Sequence, residues 1–315
     1  VVDMTLGRRK MTHYVGFDIG GTSVKYGLVN EAGEILEKGS FVTTPDDGDL
    51  MIANMAKQVK TYQEKQDILS VGVSVPGIVR KDGYMVTAGA ITAFFDINLK
   101  EVCEAAFQLP VVVQNDANCA ALAEPWLGNA QGVSDYIVIA LGTAVGCGII
   151  INDAVYQGAH GAAGEIGWTM QQPLDYSQDL EAGSWNFTSS VVLGLYNRYQ
   201  QATGKEVTDA RVILDLVRQG DAQASKVMDR YYEDVAKGLL NLVCAFDPEV
   251  ILLGGGISTN DEFLCHLSER VDKIKQHHKS LNHLTGVTVA DIKPCLLRND
   301  AGLIGAVYQA KQIVV

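Results

Sequence analysis

Apolar and polar residues alternate along 14–19, where Val15, Phe17 and Ile19 interleave with Gly16 and Asp18, and alternation resumes along 24–29. Two period-two runs joined by Gly20-Gly21-Thr22 predict a β-hairpin with a carboxylate at its mouth. A turn at Asn30-Glu31-Ala32-Gly33 leads into a third antiparallel strand expected over 34–42. Helical spacing follows over 49–64, and a short buried strand over 70–75 ends at Pro76-Gly77. The polar stretch Phe95-Asp96-Ile97-Asn98 precedes a helix over 99–107, and Pro110 opens a strand over 111–113. That strand runs straight into Gln114-Asn115-Asp116-Ala117-Asn118 and an alanine-rich helix over 119–127.

A second hairpin, 136–141 with 148–151, is joined by Gly142-Thr143-Ala144-Val145-Gly146 and echoes the first in position and composition. The repetition predicts two related halves, each offering a glycine-threonine tip to a shared cleft. Residues 158–168, G-A-H-G-A-A-G-E-I-G-W, hold too much glycine for a helix interior. Helices are expected over 185–203, 209–218 and 221–246. A buried strand over 250–253 ends in Gly254-Gly255-Gly256, and a helix starts at Asn260. A strand over 287–290 and a helix over 300–312 close the chain.

Composition narrows the class. The 315 residues suggest about two domains, and with 47% hydrophobic residues the chain can build full cores. The 32 glycines fall at the ends of apolar runs rather than in a repeat, which points to an α/β enzyme and away from fibrous or disordered proteins. A net charge of −12 repels the phosphate backbone of nucleic acids. The six cysteines are scattered with no C-x-x-C pair, so free thiols in a reducing, cytoplasmic setting are expected. No apolar run reaches the ~18 residues of a membrane span, and no signal peptide is recognisable. Residues 1–10 lack an initial Met, end in a basic cluster, and read as sequence upstream of Met11.

The chemistry concentrates at strand ends. The glycines at 20 and 21 permit positive φ and a close backbone approach, so the amides of Gly20, Gly21 and Thr22 can face an anion. Asp18 then faces a hydrated metal ion accompanying that anion. A hairpin turn with a capping aspartate explains the same residues without a ligand. Asn115 and Asp116 stand at a strand-to-helix junction, where a carboxylate commonly caps the helix. A cap accounts for one of these residues, not for Asn115, Asp116 and Asn118 together. The glycines at 254–256 let a flat ring or ribose lie against the backbone, and the Gly77 loop lies where ligands of α/β sheets usually sit.

Five ordered motifs, F-D-I-G-G-T with Lys25, N-D-A-N-C-A-A-L-A-E, L-G-T-A-V-G-C-G, G-A-A-G-E-I-G and L-L-G-G-G-I, make the chain resemble the ROK family of sugar kinases from about Tyr14 to about Ala310. The resemblance implies an α/β fold of two actin-like (ribonuclease H-like) domains around a deep cleft. The smaller is expected from 11–118 with 300–315 and the larger from 119–299. It also implies ATP and magnesium as cofactors and a homodimer or homotetramer. On that likeness Gly20, Gly21, Thr22, Lys25, Gly142 and Thr143 hold the phosphates. Asp18 positions magnesium through water, and Gly254, Gly255 and Gly256 line the adenosine site. Asp116 corresponds to the catalytic base; Gly77, Asn98, Asn115, Glu165 and Glu181 correspond to sugar-binding positions. Phosphoryl transfer needs positioning, charge neutralisation and a carboxylate to take the hydroxyl proton, which this set supplies.

The chain departs from the family at its zinc motif. The usual E-I-G-H and C-x-C-G-x-x-G-C-x-E supply a histidine and three cysteines, but here Trp168 replaces the histidine, and Gln172, Leu174 and Asp179 fall where the cysteines belong. No zinc is expected. In the family that histidine also touches the sugar near its anomeric end. Trp168 instead offers an apolar face for a second ring, so a pocket open at carbon 1 and a β-glucoside substrate such as cellobiose or gentiobiose are expected. Glucokinase or N-acetylmannosamine kinase activity is the alternative, with Trp168 merely filling vacated space. A ROK transcription regulator needs a DNA-binding domain of ~60–80 residues, for which the stretch before Tyr14 leaves no room, and a sugar-binding protein without catalysis would lack Asp18 or Asp116. The expected partner is a small sugar, with no nucleic acid and no membrane.

Overall fold

The computed structural model describes residues 12–284 and 290–314. They fall into two compact units, one drawn from residues up to Trp126 and from Asp300 onward, the other from Leu127–Asn299. In chain order the first contains β1 (His13–Ile19), β2 (Ser23–Asn30), β3 (Ile35–Val42), α1 (Gly48–Gln63), β4 (Ile68–Val75), β5 (Tyr84–Met85), β6 (Ile97–Asn98), α2 (Leu99–Phe107), β7 (Val111–Asn115) and α3 (Asp116–Leu127). The second contains β8 (Tyr136–Leu141), β9 (Val145–Ile151), β10 (Ala154–Val155), α4 (Trp185–Ser189), α5 (Asn197–Thr203), α6 (Ala210–Arg218), α7 (Ala222–Phe246), β11 (Val250–Gly254), α8 (Asp261–His277), α9 (Lys279–Asn282) and β12 (Asp291–Pro294). The chain ends in α10 (Ala301–Gln312), which belongs to the first unit.

The internal echo in the sequence becomes a repeated sheet. The first unit has strand order β3-β2-β1-β4-β7 and the second β10-β9-β8-β11-β12. In both, the two hairpin pairings are antiparallel and the two that follow are parallel. Each sheet is buried by its own helices. Met51, Met55, Val59 and Tyr62 repeat along α1 at three- to four-residue spacing and join Val15, Phe17, Val71 and Val73 in one core. Tyr231, Val235 and Leu239 of α7 likewise join Ile137, Ile139, Ile251 and Leu253 in the other. β4 is buried on both faces, because α10 lies so close that a Cβ on Gly72 would stand 2.1 Å from the Ala306 carbonyl oxygen. Ser70 accommodates its burial by donating to Ala310 O at 2.7 Å.

Several expected boundaries move, each for a local reason. α3 begins at Asp116 rather than 119, since the polar run caps the helix from inside β7. The second hairpin tip is only Gly142-Thr143-Ala144, because Val145 already pairs with Leu141. The helix expected over 185–203 is broken: Ser190 is extended, with φ −69° and ψ 160°, and the chain restarts as a wide turn over Val191–Tyr196 before α5. The strand expected over 287–290 lies, apart from Ala290, outside the described residues; the observed strand is β12. Among the described residues no helix is long and apolar enough to cross a membrane, and Cys103, Cys119, Cys147, Cys244 and Cys265 are free thiols.

Candidate active site

In the first unit Asp18 lies beside Ser74, its partner across the parallel β1–β4 ladder. Ser74 is buried and its hydroxyl donates to Asp18 Oδ1 at 2.8 Å, while Lys25 Nζ donates to Oδ2 at 3.3 Å. A Cβ on Gly302 would stand 2.5 Å from Oδ1, so the carboxylate is confined from the α10 side as well. A carboxylate has about four lone-pair directions, which leaves two for the water shell of a hard divalent cation.

The tip at 20–22 is pinned from β3 and its exit. Thr43 Oγ1 donates to Gly20 O at 2.7 Å and Thr43 N to Thr22 O at 3.1 Å. Contrary to expectation neither Gly20 nor Gly21 takes positive φ, and the Gly20 amide is spent on Ser23 O at 3.0 Å. Gly21 and Thr22 are left exposed at the turn. A Cβ on Gly21 would meet no atom within 4 Å. The fold therefore does not ask for glycine there.

Asp116 opens α3, and its neighbour is the main cap. Asn115 Oδ1 accepts from Ala117 N at 2.9 Å and Asn118 N at 3.1 Å, and Asn115 Nδ2 donates to Gly77 O at 2.9 Å. Both acceptor positions of Asn115 are thus taken, and its side chain makes a further hydrogen bond to the Asp116 carboxyl. Gly77 takes φ +95°, and a Cβ there would stand 2.3 Å from Thr87 O. That glycine is required by the fold, so any ligand contact at Gly77 uses backbone. Asn98 caps α2 through Glu101 N at 3.2 Å and keeps its amide group for other partners.

The Asp116 carboxyl shares in the cap, its Oδ1 accepting from Ala117 N at 2.8 Å, and is reachable by water yet crowded by protein atoms. That crowding pushes its pKa up to about 6; the Ala117 N–H opposes the shift and the charge of Asp18 adds to it. A carboxylate poised there is suited to taking a proton near neutral pH.

In the second unit Gly142, Thr143 and Gly256 share one cavity of about 640 Å³ with Tyr196, Arg211 and Asn260. The volume suits a nucleotide-sized ligand. Neither Gly142 nor Gly256 takes positive φ, and a Cβ would meet nothing closer than 3.9 Å at the former and nothing within 4 Å at the latter. Gly255 is different: at φ +97° its Cβ would strike Leu141 O at 2.2 Å, so it makes the turn that lays Gly256 open. Gly254 ends β11, where the nearest atom to an added Cβ would be Cys295 Sγ at 3.5 Å, an ordinary contact. The break at Ser190 also gains a reason, because Val191 N and Val192 N both donate to Gly142 O, at 3.0 and 3.2 Å, and hold the tip.

Glu165, Trp168 and Glu181 lie on one loop system of this unit. Trp168 N donates to Glu165 O at 3.2 Å, Ser184 N to Glu181 O at 2.9 Å, and Met170 bridges Ser184, tying the two turns side by side. Trp168 is 53% exposed. The positions that correspond to zinc ligands do not fit the metal: Gln172 and Leu174 offer no thiolate, and Asp179 caps a turn by accepting from Glu181 N at 3.0 Å. Among the described residues no three His, Cys, Asp or Glu side chains form a group able to hold a metal ion. Elemental analysis of chelator-free protein should give well under one zinc per chain; near-stoichiometric zinc would mean that ligands such as His160 and distant cysteines converge.

Sequence reasoning missed Ser74, Thr43, Tyr196, Arg211 and Asn260. Ser74 is hidden in an otherwise apolar strand, and Arg211 reads as the polar face of α6. Asn260 carried a signal, since it precedes Asp261-Glu262 as an N-cap and accepts from Phe263 N at 2.9 Å.

The chain is 35% identical over 302 residues to the β-glucoside kinase of Listeria innocua, covering 94% of this chain and 96% of that one. It superposes on a ROK family protein of Streptococcus pneumoniae in complex with sucrose with TM-score 0.82 at 28% identity, over 96% of this chain and 98% of that one. A ROK family glucokinase of Streptomyces griseus in complex with glucose and AMPPNP gives TM-score 0.73 at 29% identity, over 95% and 99%. These neighbours share the two-domain actin-like fold. With the ROK family model matching residues 14–313, and the paired hairpins and their open glycine tips in place, the chain belongs to the ROK family.

Proposed function

We propose that the protein is an ATP-dependent sugar kinase that transfers the γ-phosphate to the 6-hydroxyl of the non-reducing glucose of a β-glucoside such as cellobiose or gentiobiose. Kinase chemistry is supported by the relatives and by the residues each unit presents. Asp116 accepts the proton of the attacking hydroxyl, and Asn115, Asn98, Glu165 and Glu181 hold the remaining hydroxyls. Gly21, Thr22, Gly142 and Thr143 receive the phosphates with the help of Lys25, and the cavity beside Gly256 takes the adenosine. Asp18, held by Ser74 and Lys25, meets the hydrated magnesium; when bound, magnesium neutralises charge on the phosphates.

The observation that carries the choice of substrate is the exposed indole of Trp168 one short turn beyond Glu165. A broad apolar face at that place suits stacking of a second ring or an aglycone. The β-glucoside kinase relative and the sucrose complex of a ROK neighbour support an acceptor larger than a monosaccharide. Specificity constants for glucose, N-acetylmannosamine and cellobiose decide the matter. Cellobiose is expected to lead by roughly tenfold or more, and Trp168→His to erase most of that lead, as expected for loss of one aromatic stacking contact. A monosaccharide preference that survives Trp168→His overturns the proposal.

A further inference from the structure

Between α7 and α8 of the second unit lies a groove of about 460 Å³ that phosphoryl transfer does not use. It is lined by Arg230 and Lys237 of α7, Arg270 and Lys273 of α8, and the two histidines His277 and His278, with Glu233 and Asp234 as its carboxylates. Its four permanent cations outnumber the three carboxylates that meet them, Glu233 and Asp234 in the lining and Asp229 beside Arg270, on a chain of net charge −12.

These cations are only partly committed to their neighbours. Lys273 makes no ion pair with any described residue. Arg230 reaches Asp234 through Nε at 3.3 Å and Glu233 through Nη1 at 3.8 Å, leaving Nη2. Arg270 is bound to Asp229 at 2.8 Å and Glu233 at 2.9 Å and contributes charge rather than donors. His278 Nδ1 accepts from Leu281 N at 3.3 Å, which leaves the proton of the neutral ring on Nε2 as a further donor.

The groove is also wired to the acceptor loop within the same unit. Asp234, whose side chain is 2% exposed, gathers Arg198 at 2.7 Å, Arg230 at 3.3 Å and Lys237 at 3.7 Å. Lys237 Nζ donates in addition to Gln171 O at 2.9 Å, on the segment that follows Trp168 and pairs with the Glu181 turn. One ammonium thus belongs both to the groove and to the anchor of that loop.

We propose that this groove is a second ligand site, for the phosphate monoester of a small sugar, and that filling it draws Lys237 from Gln171 and loosens the loop carrying Trp168 and Glu181. A phosphate dianion matches clustered lysine and arginine donors. Ile274 and the alkyl stems of Lys237 and Lys273 offer an apolar side for a sugar ring, and the volume lies in the range of small-ligand sites. The proposed reaction makes this class of compound, so the site returns a product signal to acceptor binding; that last point alone rests on the kinase assignment.

The test is calorimetric titration with glucose 6-phosphate while ADP, magnesium and 6-deoxyglucose occupy the catalytic site. One site is expected in the wild-type protein, weakened about tenfold or more by Lys273→Glu, the scale of a lost charge-assisted contact. In initial-rate assays glucose 6-phosphate should raise the acceptor KM of the wild type but not of Lys237→Met, whose anchor is already gone. No heat with the wild type, or unchanged binding in Lys273→Glu, overturns the site. Binding without the KM change overturns the coupling. A Lys273→Glu variant whose oligomeric state shifts by light scattering also overturns it, since the groove then lies between copies of the chain. Failure of the kinase assignment leaves the calorimetric result readable by itself.

Discussion

Replacing Asp116 by Asn is expected to lower kcat by ~10²- to 10⁴-fold, the range for loss of a general base, with sugar affinity nearly unchanged. The substitution keeps an oxygen for the Ala117 N–H, which now reaches Asp116 Oδ1 at 2.8 Å, and it leaves the Asn115 cap untouched. Stability should therefore stay within about 1 kcal/mol, the more so because the carboxyl is open to water on one side. The pH profile gives a second readout. With a pKa near 6 raised chiefly by crowding, the ionised fraction falls about tenfold per unit below that point, and the wild-type rate should fall with it. The Asn variant should lose this acid limb. Steady-state kinetics across pH, with thermal melting as a control, checks both; a variant of near wild-type rate removes Asp116 from the mechanism.

Asp18→Ala should act on the nucleotide side. Its carboxylate is held at both oxygens, by Ser74 and Lys25, and losing it should lower kcat/KM for magnesium ATP by ~10²-fold or more while sugar binding changes little. Calorimetric affinity for magnesium ADP should fall in parallel, which separates a binding defect from a purely catalytic one. There is a linked effect on Asp116. The negative charge of Asp18 helps to raise the Asp116 pKa, so removing it should move the residual acid limb to lower pH. An unchanged nucleotide requirement contradicts the role assigned to Asp18.

The hairpins were legible because period-two alternation ending in glycine has few competing explanations, and their repetition announced the paired sheets seen in the two units. The same periodicity misled at 185–203. Apolar spacing continues through Ser190, but the backbone departs there so that two amides can hold Gly142 O, a long-range demand that no local pattern records. At Asn115-Asp116 the sequence offered two capping residues and no means of choosing; in the structure both meet the Ala117 N–H, and only Asn115 also takes the Asn118 N–H.

Glycine was the most readable letter and the least specific. Gly20, Gly21, Gly142, Gly254, Gly255 and Gly256 look alike in the sequence. Only the fold separates Gly255, which the backbone requires, from Gly21, Gly142 and Gly256, where no neighbouring atom excludes a side chain. Ser74 was invisible for the opposite reason: a lone hydroxyl in a buried strand is ordinary until its partner across the ladder is known to be Asp18.

On this reading the γ-phosphoryl group of ATP passes to the 6-hydroxyl oxygen of the non-reducing ring of a β-glucoside. Incubation with cellobiose and magnesium ATP, followed by phosphorus-coupled carbon NMR of the product, tests it most directly. One new phosphate ester on carbon 6 of the non-reducing glucose, formed in equal amount with ADP, is the predicted result. A phosphate on the reducing ring or on an anomeric oxygen, or ADP released with no sugar phosphate, would contradict it.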